Sequence, residues 1–227
     1  MQKYLRHYAE PETAALDGLP AQPCWENVVV IPACNEAPGF LRPPPPCGGR
    51  SLMILVINES PTASGEVSLR NLALAEEVRA GFTPLWQSAP GSGLSLWRDE
   101  SSERDLLLVD RFSEGRQIPA RGGVGFARKL GADLALSLIQ RQRVRSQWIH
   151  CTDADVTLPA TYFSCCNALP DTGSKYAALV YPFSHIENPD HAEDDGVFLA
   201  TRLYELSLRY YVAGMKFARS PYAFHTI

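Results

Sequence analysis

Two carboxylates, Asp153 and Asp155, stand two positions apart directly after the apolar stretch at 148–151. At a strand end, residues i and i+2 point the same way. Two carboxylates held together repel each other, and a hard divalent cation relieves that repulsion. Mg²⁺ takes one or two carboxylates and completes its shell with phosphate oxygens. The pair therefore suits Mn²⁺ or Mg²⁺ shared with a diphosphate. The plainer role is a loop Asp capping the turn before Thr157-Leu158-Pro159, and the position straight after an apolar strand favours the metal.

Three further groups bear on chemistry. The stretch 119–131, PARGGVGFARKLG, opens a helix with glycines. Glycines there bring backbone N–H groups close to an anion, and the helix dipole adds to the attraction. Gly123 with Arg121, Arg128 and Lys129 would make such a site. A glycine turn followed by a solvated basic face fits the same residues equally well. Asn35-Glu36 follows Pro32-Ala33 and reads first as an Asx-type turn ending a strand, and second as a hydrogen-bonding edge for a nucleobase or ribose. Asn58-Glu59-Ser60 closes another apolar run.

The elements around these residues explain how they would meet. Residues 27–32 (NVVVIP) and 51–57 (SLMILVI) read as buried strands, as do 106–109, 146–151 and 178–183. Residues 66–80 read as an amphipathic helix with apolar positions at 69, 72, 73 and 78. Helices are also expected at 124–143 and 196–215, the latter with Phe198, Leu199, Leu203, Leu206 and Tyr210 on one side. Residues 37–50, with four consecutive prolines, read as a loop, and so do 88–104. Strands alternating with helices predict an α/β fold around a mostly parallel sheet. In such sheets ligands bind beyond the carboxyl ends of the strands, where Asn35-Glu36, Asn58-Glu59 and Asp153-Asp155 all fall. Residues 1–26 read as an N-terminal arm and 27–227 as one domain.

Composition narrows the partners. The chain has 227 residues, 45% of them apolar, and a net charge of −4. That balance argues against a nucleic-acid partner, whose phosphates must be met by many Lys and Arg. The run LMILVI at 52–57 is too short to span a bilayer, which takes about 20 apolar residues. No signal-peptide pattern opens the chain, so no transmembrane segment and a cytoplasmic location are expected. The six cysteines contain no CxxC pair and read as reduced thiols.

Taken together, VVVIPACNE (28–36), LVINESPTASG (55–65), GGVGFARKLGADLAL (122–136) and WIHCTDADVTLP (148–159) resemble a family 2 glycosyltransferase. The four stretches occur in that family's order and span roughly residues 27–165. The resemblance implies a GT-A (Rossmann-like) fold and a nucleotide-sugar donor, with a UDP-sugar favoured. It implies that Pro32, Ala33, Asn35 and Glu36 line the base and ribose pocket, with Gly123 and Arg128 near the donor. Asn58 stands where the family usually has an Asp that reads the nucleobase. Asp153 and Asp155 become the family's Asp-x-Asp, with Asp155 the direct metal ligand and Asp153 beside both metal and donor. The proline-rich loop replaces the helix usual after the first strand.

The family's catalytic base lies in an acidic motif well beyond the Asp-x-Asp, and the expectation is that this acceptor and base region is missing here. Asp194 and Asp195 are the nearest acidic candidates, although an acidic helix start explains them better. His225 reads as a buried strand histidine before a metal ligand. The expected activity is metal-assisted, inverting transfer of a sugar to an acceptor hydroxyl of a saccharide, lipid or small molecule. A non-catalytic or truncated nucleotide-sugar binding module is the alternative. A sugar nucleotidyltransferase ranks below both, because its Gly-rich loop follows the first strand directly.

Overall fold

The computed structural model describes residues 1–41, 49–164, 178–181, 183–185 and 195–219. Where the sequence suggests one domain from 27 to 227, the chain divides into two compact units, Met1–Leu169 and Pro170–Ile227. The first unit is built on one six-stranded sheet. Its strands are β1 (Asn27–Ala33), β2 (Ser51–Asn58), β3 (Thr83–Gln87), β4 (Leu94–Asp99), β5 (Arg104–Arg111) and β6 (Ile149–Cys151), in the order β3-β4-β5-β2-β1-β6. The pairs β5–β2, β2–β1 and β1–β6 are parallel, whereas β3–β4 and β4–β5 are antiparallel. The fold is thus α/β, with a mixed and mostly parallel sheet. The α-helices among the described residues are α1 (Gln2–His7), α2 (Gly65–Gly81) and α3 (Gly123–Gln140) in this unit, and α4 (Asp195–Phe217) in the second.

Strands β1 and β2 are buried along their whole length. That is why they read as continuous apolar runs rather than alternating ones. Val28, Val30, Leu52, Ile54, Val56, Leu107 and Val109 join one core with Ala127, Leu130, Leu134 and Leu138 of α3. The alternate side chains, among them Ile31, Met53, Leu55 and Ile57, take the other face, as the two-residue period of a strand requires. There α2 packs with Leu74, Ala75 and Val78. Gly131 sets how closely α3 approaches the sheet. A Cβ on it would lie 2.3 Å from Cγ1 of Val30 and 3.3 Å from Cγ2 of Val56.

Several expectations are corrected. Residues 88–104 are not all surface loop, because β4 runs through them with Leu94 and Leu96 in the core. The buried face of α2 is Asn71, Leu74, Ala75 and Val78, while Leu69 and Leu72 are exposed. The strand expected at 178–183 is not formed by its described residues, 178–181 and 183. Residues 1–26, read as an N-terminal arm, begin with the short helix α1 and pack into the first unit. Leu16 and Trp25 lie in the core, and Asp133 of α3 accepts hydrogen bonds from Tyr4 Oη and the Glu10 amide, each at 2.9 Å.

The amino end of the sheet is closed by its own polar groups. The fully buried Asp105 accepts from Trp25 Nε1 at 2.9 Å, Arg50 at 3.0 Å and Arg98 Nε at 3.1 Å. Arg104 pairs with Asp99 at 2.9 Å. A buried carboxylate is tolerable only with such partners, and these leave little for a ligand. In the second unit, Glu205 of α4 plays a similar part. It accepts from the amide of His185 at 3.0 Å, from Nδ1 of the same ring at 2.6 Å and from Arg202 at 2.9 Å. The His185 contacts and Arg202 hold its carboxyl down to about 2.

Candidate functional site

Because β5, β2, β1 and β6 run parallel, their carboxyl ends share one edge. Helix α3 runs back from that edge to reach β6, so its amino end lies there too. The chain therefore has no choice about where Cys34-Asn35-Glu36, Asn58-Glu59, Gly122-Gly123 and Thr152-Asp153 fall.

At the end of β1, Pro32 and Ala33 are still inside the strand and buried, paired with Val56 and Ile57. They shape the strand end from within. Asn35 is the first exposed polar group to turn away, with φ of 65°, a left-handed conformation that Asn adopts more readily than most residues. Its amide donates to Oδ1 of Asn71 at 2.9 Å. Glu36 follows, half-buried.

Asn71 is the group that sequence reasoning missed. It is fully buried on α2. Besides accepting from Asn35, its Nδ2 donates to the Asn58 carbonyl at 3.3 Å and to Oε2 of Glu59 at 3.1 Å. Oε1 of Glu59 takes a 2.7 Å bond from Ser68. One side chain thus ties the ends of β1 and β2 to α2. The available signal was a lone Asn at the i−3 position of Leu74 and i−4 of Ala75. Asn58 is itself buried, and its Oδ1 lacks a hydrogen-bond partner.

Beyond β6, Asp153 and Asp155 are exposed on either side of the buried Ala154. Arg128 of α3 is bonded to Oδ1 of Asp153. The Glu36 carboxyl is raised above the usual carboxylate range, first by burial and then by the negative charges of Asp155 and Asp153. The carboxylates after β1 and β6 are therefore within electrostatic reach of each other. Their oxygen donors are the hard type that Mg²⁺ and Mn²⁺ prefer. Among the described residues, no three His, Cys, Asp or Glu side chains gather closely enough to hold a metal by themselves. A cation here would complete its shell with oxygens from a ligand and from water.

Gly123 opens α3 with φ of +49°, and a Cβ on it would meet nothing within 4 Å. Gly125 is equally open, and no side chain caps the helix. Of the basic residues expected to serve an anion, Lys129 is committed elsewhere. It donates to Glu10 and Asp133, both at 2.7 Å, and to the Tyr8 carbonyl at 2.8 Å. Those carboxylates raise its pKa. Asp195 begins α4 in the second unit, and Asp194 and His225 lie outside the described residues. No protein-family model matches the chain, and no curated protein or solved structure shows significant similarity to it.

Proposed function

We propose that the first unit binds a nucleotide-sugar, with a UDP-sugar favoured, and that the chain belongs to a metal-assisted, inverting glycosyltransferase of the GT-A type. The observation that carries the reading is the meeting of Glu36, Asp153, Asp155 and Arg128 at the carboxyl edge of a parallel sheet. The open glycine start of α3 stands at the same edge, where an anionic ligand is favoured by free N–H groups.

Asp153 and Asp155 would hold Mn²⁺ or Mg²⁺, with Asp155 the direct ligand. The cation supplies charge neutralisation for the departing nucleoside diphosphate. Asn35 and Glu36 border the base and ribose, and the buried Asn58 ends β2 at the same edge. The N–H groups at the start of α3 and the guanidinium of Arg128 orient the diphosphate. The acceptor hydroxyl attacks the anomeric carbon from the face opposite the diphosphate, the glycosidic C–O bond breaks, and the hydroxyl proton passes to a base. The expected setting is cytoplasmic, where Cys24, Cys34 and Cys151 stay reduced. No described helix is long and apolar enough to cross a membrane.

The test follows the donor by ³¹P NMR. With Mg²⁺, a panel of UDP-sugars and a panel of acceptor alcohols to take the sugar, release of UDP should appear for the wild type. It should drop at least tenfold in a chain carrying both Asp153→Asn and Asp155→Asn. Release that ignores the double substitution would count against the assignment.

A further inference from the structure

We propose that α4 lies on an anionic membrane surface, with its apolar side set into the headgroup layer and Arg202, Arg209 and Lys216 meeting lipid phosphates. The proposal stands on the second unit by itself and does not depend on the nucleotide-sugar reading.

Helix α4 buries a carboxylate and exposes leucines. Glu205 is buried, held by His185 and Arg202, and Val212 is buried two turns further along the same line. Leu199, Leu203, Leu206, Tyr210 and Phe217 are spaced three, four or seven apart, so they share one side of the helix. Each is exposed, by 56% to 94%. Single exposed apolar residues are ordinary, whereas a contiguous row of this length marks a contact surface.

The borders of the row say what covers it. On one side Arg202, Arg209 and Lys216 recur every seven residues, in one line along the helix. Between 196 and 217 the only carboxylate is the buried Glu205, so every exposed charge on this stretch is positive. The whole chain, by contrast, carries −4. On the other side stand Tyr204 and Tyr211, also seven apart and exposed. Their rings are apolar and their hydroxyls suit water or headgroups. An apolar face bounded by basic residues on one side and tyrosines on the other is the pattern of a helix lying in a bilayer interface. α4 is not apolar enough to cross a bilayer, so the contact runs along the surface. A second copy of the chain would set a second basic row against the first, and like charges across a contact are unfavourable. A single partner helix would cover a narrower seam than the arc from the leucines to the tyrosines.

The test is flotation of the full chain with vesicles of phosphatidylcholine alone and of phosphatidylcholine mixed with phosphatidylglycerol, with circular dichroism to check folding. The wild type should partition onto the anionic vesicles roughly tenfold more strongly than onto the neutral ones, and added salt should weaken that preference. Arg209→Gln combined with Lys216→Gln should lower partitioning onto the anionic vesicles roughly tenfold. Leu203→Ser combined with Leu206→Ser should lower it about as far, through lost apolar burial. All four positions are exposed, so these variants test the surface without opening a core. Failure of the wild type to bind vesicles, equal binding to both kinds, or binding that both double variants retain would overturn the proposal. So would a dimer, seen by sedimentation velocity, that Leu203→Ser with Leu206→Ser dissociates while no vesicle is bound, because the face would then belong to a second copy.

Discussion

The amide of Asn35, at the turn after β1, donates to the side-chain carbonyl of Asn71, in the middle of α2, at 2.9 Å. This one bond fixes a left-handed residue at the edge where the candidate site lies. The same side chain reaches Asn58 and Glu59 at the end of β2. Replacing it with Ala strands an amide and removes a partner of a buried carboxylate. A buried group left unsatisfied costs about 1–3 kcal/mol. Asn71→Ala releases three partners, the Asn35 amide, the Asn58 carbonyl and the Glu59 carboxylate, and should lower unfolding stability by roughly 2–4 kcal/mol, which urea denaturation would measure. Stability within 0.5 kcal/mol of the wild type would show that the network is not what holds these strand ends.

Gly131 carries a different constraint. A methyl group there collides with Val30 of β1 and crowds Val56 of β2. Overpacking of this kind costs about 1–3 kcal/mol. Gly131→Ala should be destabilised by that amount despite the better helix propensity of Ala. Adding Val30→Ala should recover part of the loss, because it removes the colliding methyl. A double variant no more stable than Gly131→Ala would argue against the collision.

His150, on the short edge strand β6, is buried and packed against Tyr162 and Phe163, with ring centroids 5.2 and 4.9 Å away. Burial lowers its pKa from 6.5 to about 4. The unfolded chain thus takes up a proton near pH 6.5 that the folded chain resists until about pH 4. The stability associated with the neutral ring is complete above pH 6.5 and declines as pH falls toward 4, by at most about 3 kcal/mol. In His150→Phe the stability lost between pH 6.5 and 4.5 should be visibly smaller than in the wild type. Parallel stability–pH curves for the two proteins would remove His150 from the account.

Much of the fold was legible because the parallel strands are buried on both faces. NVVVIP and SLMILVI have no other plausible structure, and the two-residue period of their side chains is met by helices on each side. The edge hairpin was not legible. In β4 only Leu94 and Leu96 face the core, and the Ser, Gly and charged residues around them look like a loop. β3 carries Pro84, which is tolerated here because the strand is at the sheet edge and its register shifts between Pro84 and Trp86. The helix face of α2 was misplaced because its buried stripe begins with a polar residue, Asn71, while the more apolar Leu69 faces solvent. The carboxylates at the strand ends could be read from position alone. The fate of Lys129 could not, because its partner Glu10 is far away in sequence and packs through the N-terminal segment.

The central claim is that Asp153 and Asp155 hold a metal against a diphosphate. Calorimetric titration with UDP and with GDP, each with and without Mn²⁺, on the wild type and Asp155→Ala, tests it most directly. The account predicts binding of UDP that requires Mn²⁺, exceeds that of GDP, and weakens at least tenfold in Asp155→Ala. Tight nucleotide binding that is indifferent both to Mn²⁺ and to Asp155 would contradict it and leave the Asp pair as a turn cap.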